Sequence, residues 1–306
     1  MGLGSETIGG TLCRDGARLA EALGLAYPEG YREAHGLLAH VMALSPAQIS
    51  SRSREALKTD LRDAYERLIE RRRNGEPYAY VVGRREFYGL DFWVTPAVLI
   101  PRPETELLVE TALARVRPDQ PATILDLGTG SGVLAITMSR LRPRAEVTAV
   151  DASAAALQVA LDNAARLRAD RVRFRESDWY SALGNEQFDL ILSNPPYVAA
   201  HDPHLGRGDL RFEPRHALVA GKDGLDGIRS LVRGAPCHLI PGGWLCFEHG
   251  HDQAAACRQL LERALFERVS TLKDLGGMER VTGGQMARVD PDQPSPYHFP
   301  IFSIDH

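Results

Sequence analysis

Four residues that follow an apolar run carry the clearest chemistry in the chain. Phe188-Asp189-Leu190-Ile191-Leu192-Ser193 reads as a strand and runs directly into Asn194-Pro195-Pro196-Tyr197. Two prolines end a strand, because neither supplies an N–H to the ladder, and they stiffen the turn that follows. Such a corner suits one planar NH2 group. The Asn194 side-chain oxygen and the Pro195 carbonyl can each accept one of its hydrogens, and Tyr197 can offer a ring face to a planar substrate. A neutral nitrogen held this way is aimed at a donor group, and orientation contributes on the order of 7–11 kcal/mol in the best cases.

A second constellation lies upstream. Asp126-Leu127-Gly128-Thr129-Gly130-Ser131-Gly132 follows an apolar run and opens a helical stretch, and Asp151 ends the next apolar run. Glycines let a backbone approach a ligand closely, and a helix start presents unpaired N–H groups. Asp151 is placed to accept bonds from both hydroxyls of a ribose. The glycines fall at every second position, unlike the dinucleotide Gly-x-Gly-x-x-Gly, and no Gly-Lys-Ser/Thr marks a P-loop. Asp126 would repel a pyrophosphate but suits an ammonium group. In this the turn resembles motif I of the class I S-adenosylmethionine-dependent methyltransferases.

The elements that must position these residues can be read from periodicity. Residues up to about Arg73 read as helical: Leu57, Leu61, Tyr65, Leu68 and Ile69 recur at three- and four-residue intervals, and Leu37, Leu38, Val41 and Met42 suggest an earlier core-facing helix. Arg71, Arg72 and Arg73 read as a solvated helix end before the stop signal Asn74-Gly75, with a contact surface for a nucleic acid or an acidic partner as the alternative. Glu86 to Val94 predicts a β-hairpin, and Pro96, Pro101 and Pro103 an extended linker. Beyond Pro121, apolar runs at Ala122 to Leu127, Glu146 to Val150, Val172 to Phe174, Phe188 to Leu192 and Trp244 to Phe247 alternate with helical stretches such as Ala154 to Leu167 and Gln253 to Phe266. That alternation predicts a parallel sheet covered on both faces.

Composition narrows the class. The 306 residues include 36 Lys plus Arg against 40 Asp plus Glu, a net charge of -4, which argues against a dedicated non-specific nucleic-acid binder. No apolar run is long enough for a membrane span, and Met1 to Glu6 lacks the features of a secretory leader. Cys13, Cys237, Cys246 and Cys257 form no Cys-x-x-Cys pair, so neither a disulfide scaffold nor a zinc ribbon is expected. A cytoplasmic location fits.

Taken together the chain resembles the HemK/PrmC family, protein-(glutamine-N5) methyltransferases acting on peptide-chain release factors. The likeness rests on Asn194 to Tyr197, Asp126 to Gly132, Ile100-Pro101-Arg102-Pro103-Glu104-Thr105-Glu106, Gly75-Glu76-Pro77-Tyr78-Ala79-Tyr80, Ser177-Asp178-Trp179, Phe212-Glu213-Pro214, Glu248-His249-Gly250 and Glu279-Arg280-Val281. A sister family acting on a ribosomal protein carries a Val-Pro-Arg-Ser-type element where this chain has Ile100 to Pro103, which favours release factors. The resemblance implies an α/β fold: a seven-stranded Rossmann-like methyltransferase sheet, a small N-terminal helical domain and a β-hairpin linker. Expected boundaries are 1–74 for the substrate-recognition helices, 75–103 for the hairpin and linker, 104–283 for the methyltransferase domain and 284–306 for a C-terminal extension.

The same resemblance implies S-adenosyl-L-methionine as cofactor, held by Asp126, Gly128, Thr129, Gly130, Ser131, Gly132 and Asp151, with Trp179 near the adenine and Asn194 near the methyl. Asn194, Pro195, Pro196 and Tyr197 would grip the glutamine of a Gly-Gly-Gln motif, with Asn194, Pro195 and Tyr197 as the catalytic set. No metal, membrane contact or direct nucleic-acid contact is expected, and a monomer is. The rival readings keep the N-methylation chemistry and move it to a ribosomal protein, a small-molecule amide or an adenine in nucleic acid, or treat the chain as an idle cofactor-binding module. His249 and His251 lack a third ligand, and Glu104 and Glu106 read as linker anchors beside Arg102, with a catalytic acid pair as the alternative. Gly283-Gly284-Gln285 reads as a coincidental match to the substrate tripeptide, with a self-methylated or pseudosubstrate tail as the alternative. Tyr297, Phe299 and Phe302 suggest a tail that packs on the body.

Overall fold

A computed structural model describes residues 7–288, and the expectations placed on the tail at Tyr297, Phe299 and Phe302 lie outside them. The chain divides into two compact units, one made of residues up to Pro101 together with Ala200–Leu218, the other of Arg102–Ala199 and Val219 onward.

The first unit opens with four helices, α1 (Ile8–Leu23), α2 (Tyr27–Met42), α3 (Pro46–Ser51) and α4 (Thr59–Arg73). Their limits follow local chemistry. Thr7 caps α1 by accepting the Gly10 N–H, and Ser45 and Gln48 close a reciprocal box on α3. Leu12, Leu19, Leu37, Leu38, Ile49, Tyr65 and Ile69 meet in one apolar core. Of the arginine run only Arg72 departs from a solvated helix end, Arg71 being exposed and Arg73 partly so. Arg72 is buried and donates to Glu33 at 2.6 and 3.2 Å and to the Glu76 carbonyl, while Arg71 forks onto Glu76 and Arg73 pairs with Glu70. A short α5 (Tyr78–Val82) leads into the hairpin β1 (Arg84–Phe87) and β2 (Leu90–Trp93). Its two-residue turn, Tyr88-Gly89, has positive φ at both positions, the geometry that matches strand twist. The returning segment 200–218 is tied in by Glu213, whose buried carboxylate accepts the Ile100 N–H at 3.0 Å.

The second unit carries α6 (Glu106–Leu113), β3 (Ala122–Leu127), α7 (Val133–Leu141), β4 (Ala145–Asp151), α8 (Ala154–Arg166), β5 (Arg173–Glu176), β6 (Phe188–Ser193), α9 (Asp226–His238), β7 (Leu239–Glu248), α10 (Ala254–Arg263), β8 (Phe266–Lys273) and β9 (Glu279–Met286). Seven strands form one sheet in the order β5-β4-β3-β6-β7-β9-β8, parallel except for β9, which runs antiparallel to both neighbours. The chain builds outward from β3 in one direction and then starts again at β6 in the other. That reversal opens a crevice at the carboxyl ends of β3 and β6, where such sheets bind ligands. Leu125, Leu127, Ile191, Leu231, Leu245 and Phe247 anchor the core on the α9 and α10 side.

The last two strands were not among the runs expected from sequence, and they change the reading of the tail. Gly283, Gly284 and Gln285 lie inside β9, so the sheet extends past the boundary placed after residue 283. A Cβ on Gly283 would sit 2.9 Å from Cys246 Sγ, and one on Gly284 2.9 Å from Phe266 Cβ, so close strand packing demands both glycines. Gln285 is buried, and its amide donates to the Gly242 carbonyl at 2.7 Å. It pairs with Trp244, four residues before Glu248 on β7, which puts it about 13 Å below the strand tips. The tripeptide is accounted for by packing. Incubation with S-adenosylmethionine should leave Gln285 unmodified by peptide mass spectrometry, and Gly283→Ala should lower stability by about 1–3 kcal/mol in denaturant unfolding. A methylated Gln285 would contradict the first expectation, and an unchanged midpoint the second.

Candidate active site

Strand register assembles the site. Leu127 pairs with Val150 and with Ser193, and Ser193 pairs with Phe247. The next residue on each strand is therefore level with the others: Asp151, Gly128, Asn194 and Glu248 stand side by side along the carboxyl edge, with about 4.8 Å between neighbouring strands. Sequence spacing alone cannot supply that register.

The glycine turn is shaped for close approach. Gly128, Gly130 and Gly132 all have positive φ, and nothing lies within 4 Å of a Cβ built on Gly128 or Gly130. The Gly130 N–H donates to Asp151 Oδ2 at 2.9 Å, and Ser153 N–H to Oδ1 at 2.9 Å, so Asp151 is held beside the turn. Asp126 sits beneath it, fully buried. Its Oδ2 accepts from Thr129 Oγ1 at 2.6 Å and from the Ala135 N–H at 3.1 Å, whereas its Oδ1 has no partner. Burial pushes the Asp126 carboxyl up to about 7, against the lowering pull of the Thr129 and Ala135 bonds. Thr129 and Ser131 are themselves buried, and the Thr129 hydroxyl is spent on Asp126. Asn163, which sequence reading passed over, donates to the Ser131 carbonyl at 3.0 Å and braces the turn from α8.

The Asn-Pro-Pro-Tyr corner is braced from several sides. Ser193 donates to the Leu127 carbonyl at 2.7 Å. Asn194 Nδ2 donates to Thr105 Oγ1 at 3.1 Å, while Asn194 Oδ1 is buried with no partner. Tyr197 donates its phenol to Glu248 Oε1 at 2.9 Å, and its carbonyl accepts from Gln253 Nε2 at 3.0 Å. Burial and the neighbouring Glu248 carboxylate push the Tyr197 phenol up, so it stays neutral. Trp179, half-buried, shares Gly227 as a neighbour with the corner: a Cβ on Gly227 would lie 2.9 Å from the Pro196 carbonyl oxygen and 3.4 Å from the Trp179 ring.

The expected site residues thus gather on one edge of one sheet. Two residues that sequence reading weighed fall elsewhere. Glu104 is exposed, and the residue between it and Glu106, buried Thr105, is the one that reaches the corner. His249 is buried, with Nδ1 on the Gly250 carbonyl at 2.8 Å and Nε2 against Thr282 Oγ1 at 2.7 Å, so both ring nitrogens are occupied within the sheet.

A seven-stranded sheet of this order, with a glycine turn and an acid at adjacent strand tips, defines a methyltransferase fold. A methyltransferase of Pyrococcus furiosus superposes with a TM-score of 0.51 at 20% identity, over 66% of this chain and 91% of that one. A Thermus thermophilus 16S rRNA N2 G1207 methyltransferase, solved with AdoMet and guanosine, does so with a TM-score of 0.51 at 23% identity, over 66% of this chain and 49% of that one. Family models for the methyltransferase small domain and the PrmC N-terminal domain match residues 103–207 and 16–83.

Closer relatives fix the family. The chain is 49% identical over 253 residues to the release factor glutamine methyltransferase of Xylella fastidiosa, covering 83% of this chain and 92% of that one. It is 53% identical over 229 residues to that of Pseudomonas aeruginosa (74% and 83%) and 44% identical over 254 residues to that of Escherichia coli (83% and 91%). The chain belongs to the release factor glutamine methyltransferase family.

Proposed function

We propose that the protein transfers a methyl group from S-adenosyl-L-methionine to the side-chain amide nitrogen of the glutamine in the Gly-Gly-Gln motif of peptide-chain release factors. The observation that carries this is the orphaned Asn194 Oδ1, a buried acceptor on a rigid corner level with the glycine turn. An unsatisfied buried acceptor costs about 1–3 kcal/mol, a deficit that one N–H of a carboxamide relieves.

The residues present fit the cofactor. Asp126 offers its unpartnered Oδ1 to an ammonium group, Gly128 and Gly130 leave room for a chain to pass, and Asp151 stands where ribose hydroxyls would be received. When bound, S-adenosylmethionine supplies a methyl on a sulfonium whose positive charge is lost on transfer. The protein's own part is alignment. Asn194 Oδ1 and the Pro195 carbonyl each take one N–H of the substrate amide, whose lone pair is otherwise delocalised into its carbonyl. As that nitrogen pyramidalises and becomes positive, its N–H groups become stronger donors, so the two bonds tighten most in the transition state. No general base is needed, because the nitrogen becomes strongly acidic after transfer. The chain is read as a cytoplasmic monomer without direct nucleic-acid contact. Among the described residues no helix is long and apolar enough to cross a membrane.

The test is to offer labelled cofactor together with purified release factor and duplex DNA. Label is expected on the motif glutamine and absent from a Gln→Ala release factor. Label on DNA, or none on the release factor, would overturn the reading.

A further inference from the structure

The Asn194 amide could face either of two ways with nearly the same shape, and only one of them serves the substrate. With Nδ2 turned to Thr105, Oδ1 is the group left for an incoming N–H. Turned over, the side chain would set its own NH2 against the substrate NH2, donor against donor. Something must choose between the two.

The choice lies in where one proton sits. Thr105 has a single hydroxyl proton, and at 2.6 Å its Oγ1 donates that proton to Glu248 Oε2. An ionised carboxylate only accepts, so the Thr105 oxygen is left with nothing but lone pairs toward Asn194. It can then take an N–H and cannot give one. The other carboxylate oxygen, Oε1, accepts a hydrogen bond from the Tyr197 phenol. One buried side chain therefore holds the first and last residues of the corner. We infer that Glu248, acting through the Thr105 hydroxyl, is the positioning residue that fixes the Asn194 amide with its oxygen toward the substrate.

Placing a carboxylate here is costly. Glu248 is 1% exposed, and a buried charge without partners is strongly destabilising. Its surroundings divide in sign: Thr105, Tyr197 and the Arg280 charge favour the ionised form, while burial and Glu104 oppose it, and the carboxyl is raised above its ordinary value. Protonation would free Thr105 to donate to Asn194 and turn the amide over. At saturating cofactor, where the pH dependence of cofactor binding drops out, turnover should therefore fall on the acid side with an apparent pKa above the usual glutamate range.

The inference rests on the reading that Asn194 receives the substrate amide, and the experiment separates the two. Thr105→Val is nearly isosteric and removes the hydroxyl. It should lower single-turnover methylation of the release factor about tenfold to a hundredfold while cofactor affinity by calorimetry stays within about threefold. Thr105→Ser should restore most of the rate. Glu248→Gln, which can accept from one hydroxyl but not both, should lower the rate and remove the acid limb, and it provides a second measurement should the valine variant not fold. A folded Thr105→Val enzyme with unimpaired turnover, equal losses in Thr105→Val and Thr105→Ser, or an acid limb unchanged in Glu248→Gln would each overturn the relay. A wild-type protein that leaves the release factor unlabelled would instead overturn the functional reading.

Discussion

Asn194→Ala is expected to lower turnover by on the order of 10²–10³ while the dissociation constant for S-adenosylmethionine changes by less than about threefold. The Oδ1 of Asn194 faces an amide that is neutral at rest and positive as the methyl arrives, so its bond is worth most at the top of the barrier. Charge-assisted hydrogen bonds are roughly twice as strong as neutral ones, and that difference appears in kcat rather than in binding. Stability should move little or rise, because the substitution removes a buried acceptor that has no partner at the expense of the bond to Thr105. Single-turnover kinetics, calorimetry and thermal unfolding separate the three quantities. Equal losses in turnover and cofactor affinity would contradict the assigned role.

Asp126 should make cofactor binding pH-dependent. Its carboxyl is pushed up to about 7 by burial, yet an ammonium partner requires the carboxylate. Binding then releases a proton below that value, and affinity should improve roughly tenfold between pH 6 and pH 8. Asp126→Asn should abolish the trend and weaken binding by about a hundredfold. The same shift has an opposite signature in the protein without cofactor. A group whose folded pKa lies above its unfolded one favours the fold most below the unfolded value, near 4, and that contribution is lost as pH rises through about 7. Its full size is about 4 kcal/mol, about three pKa units at 1.36 kcal/mol each. Unfolding midpoints without cofactor should fall between pH 4 and 7, and saturating cofactor should reduce that decline. A dissociation constant that stays flat across the range would remove Asp126 from the site.

The elements that sequence reveals are those whose periodicity is undiluted. Apolar residues dominate the interior strands β3, β4 and β6 and the Trp244–Phe247 half of β7, and the glycine turn and Asn-Pro-Pro-Tyr corner announce themselves through residue types that tolerate few backbone shapes. The outer strands fail for opposite reasons. β8 lies at the sheet edge and exposes most of its side chains, so it carries no apolar run. β9 is buried, but its central positions hold polar Thr282 and Gln285 and, where neighbouring side chains press too close for a Cβ, Gly283 and Gly284. In the site, Asn194 and Asp126 could be named from the chain, whereas Thr105, Glu248, Asn163 and Gln253 act through partners 32 to 143 positions away. No local pattern encodes such pairings. Register and tertiary contact create them.

The chain crosses between its two compact units three times, after Pro101, Ala199 and Leu218. No single cut can therefore separate a helical fragment from a catalytic one. A fragment beginning at Arg102 keeps the stretch from Ala200 to Leu218 but loses the Ile100 amide that its Glu213 binds. One ending at Pro101 exposes the Arg72 guanidinium that Asp209 approaches at 3.4 Å. Dissection of this protein would have to excise the looped-out stretch and rejoin Ala199 to Val219. Those two ends are suitably near, since Val198 and Val219 already form a bridge and the Ala220 N–H donates to the Val198 carbonyl.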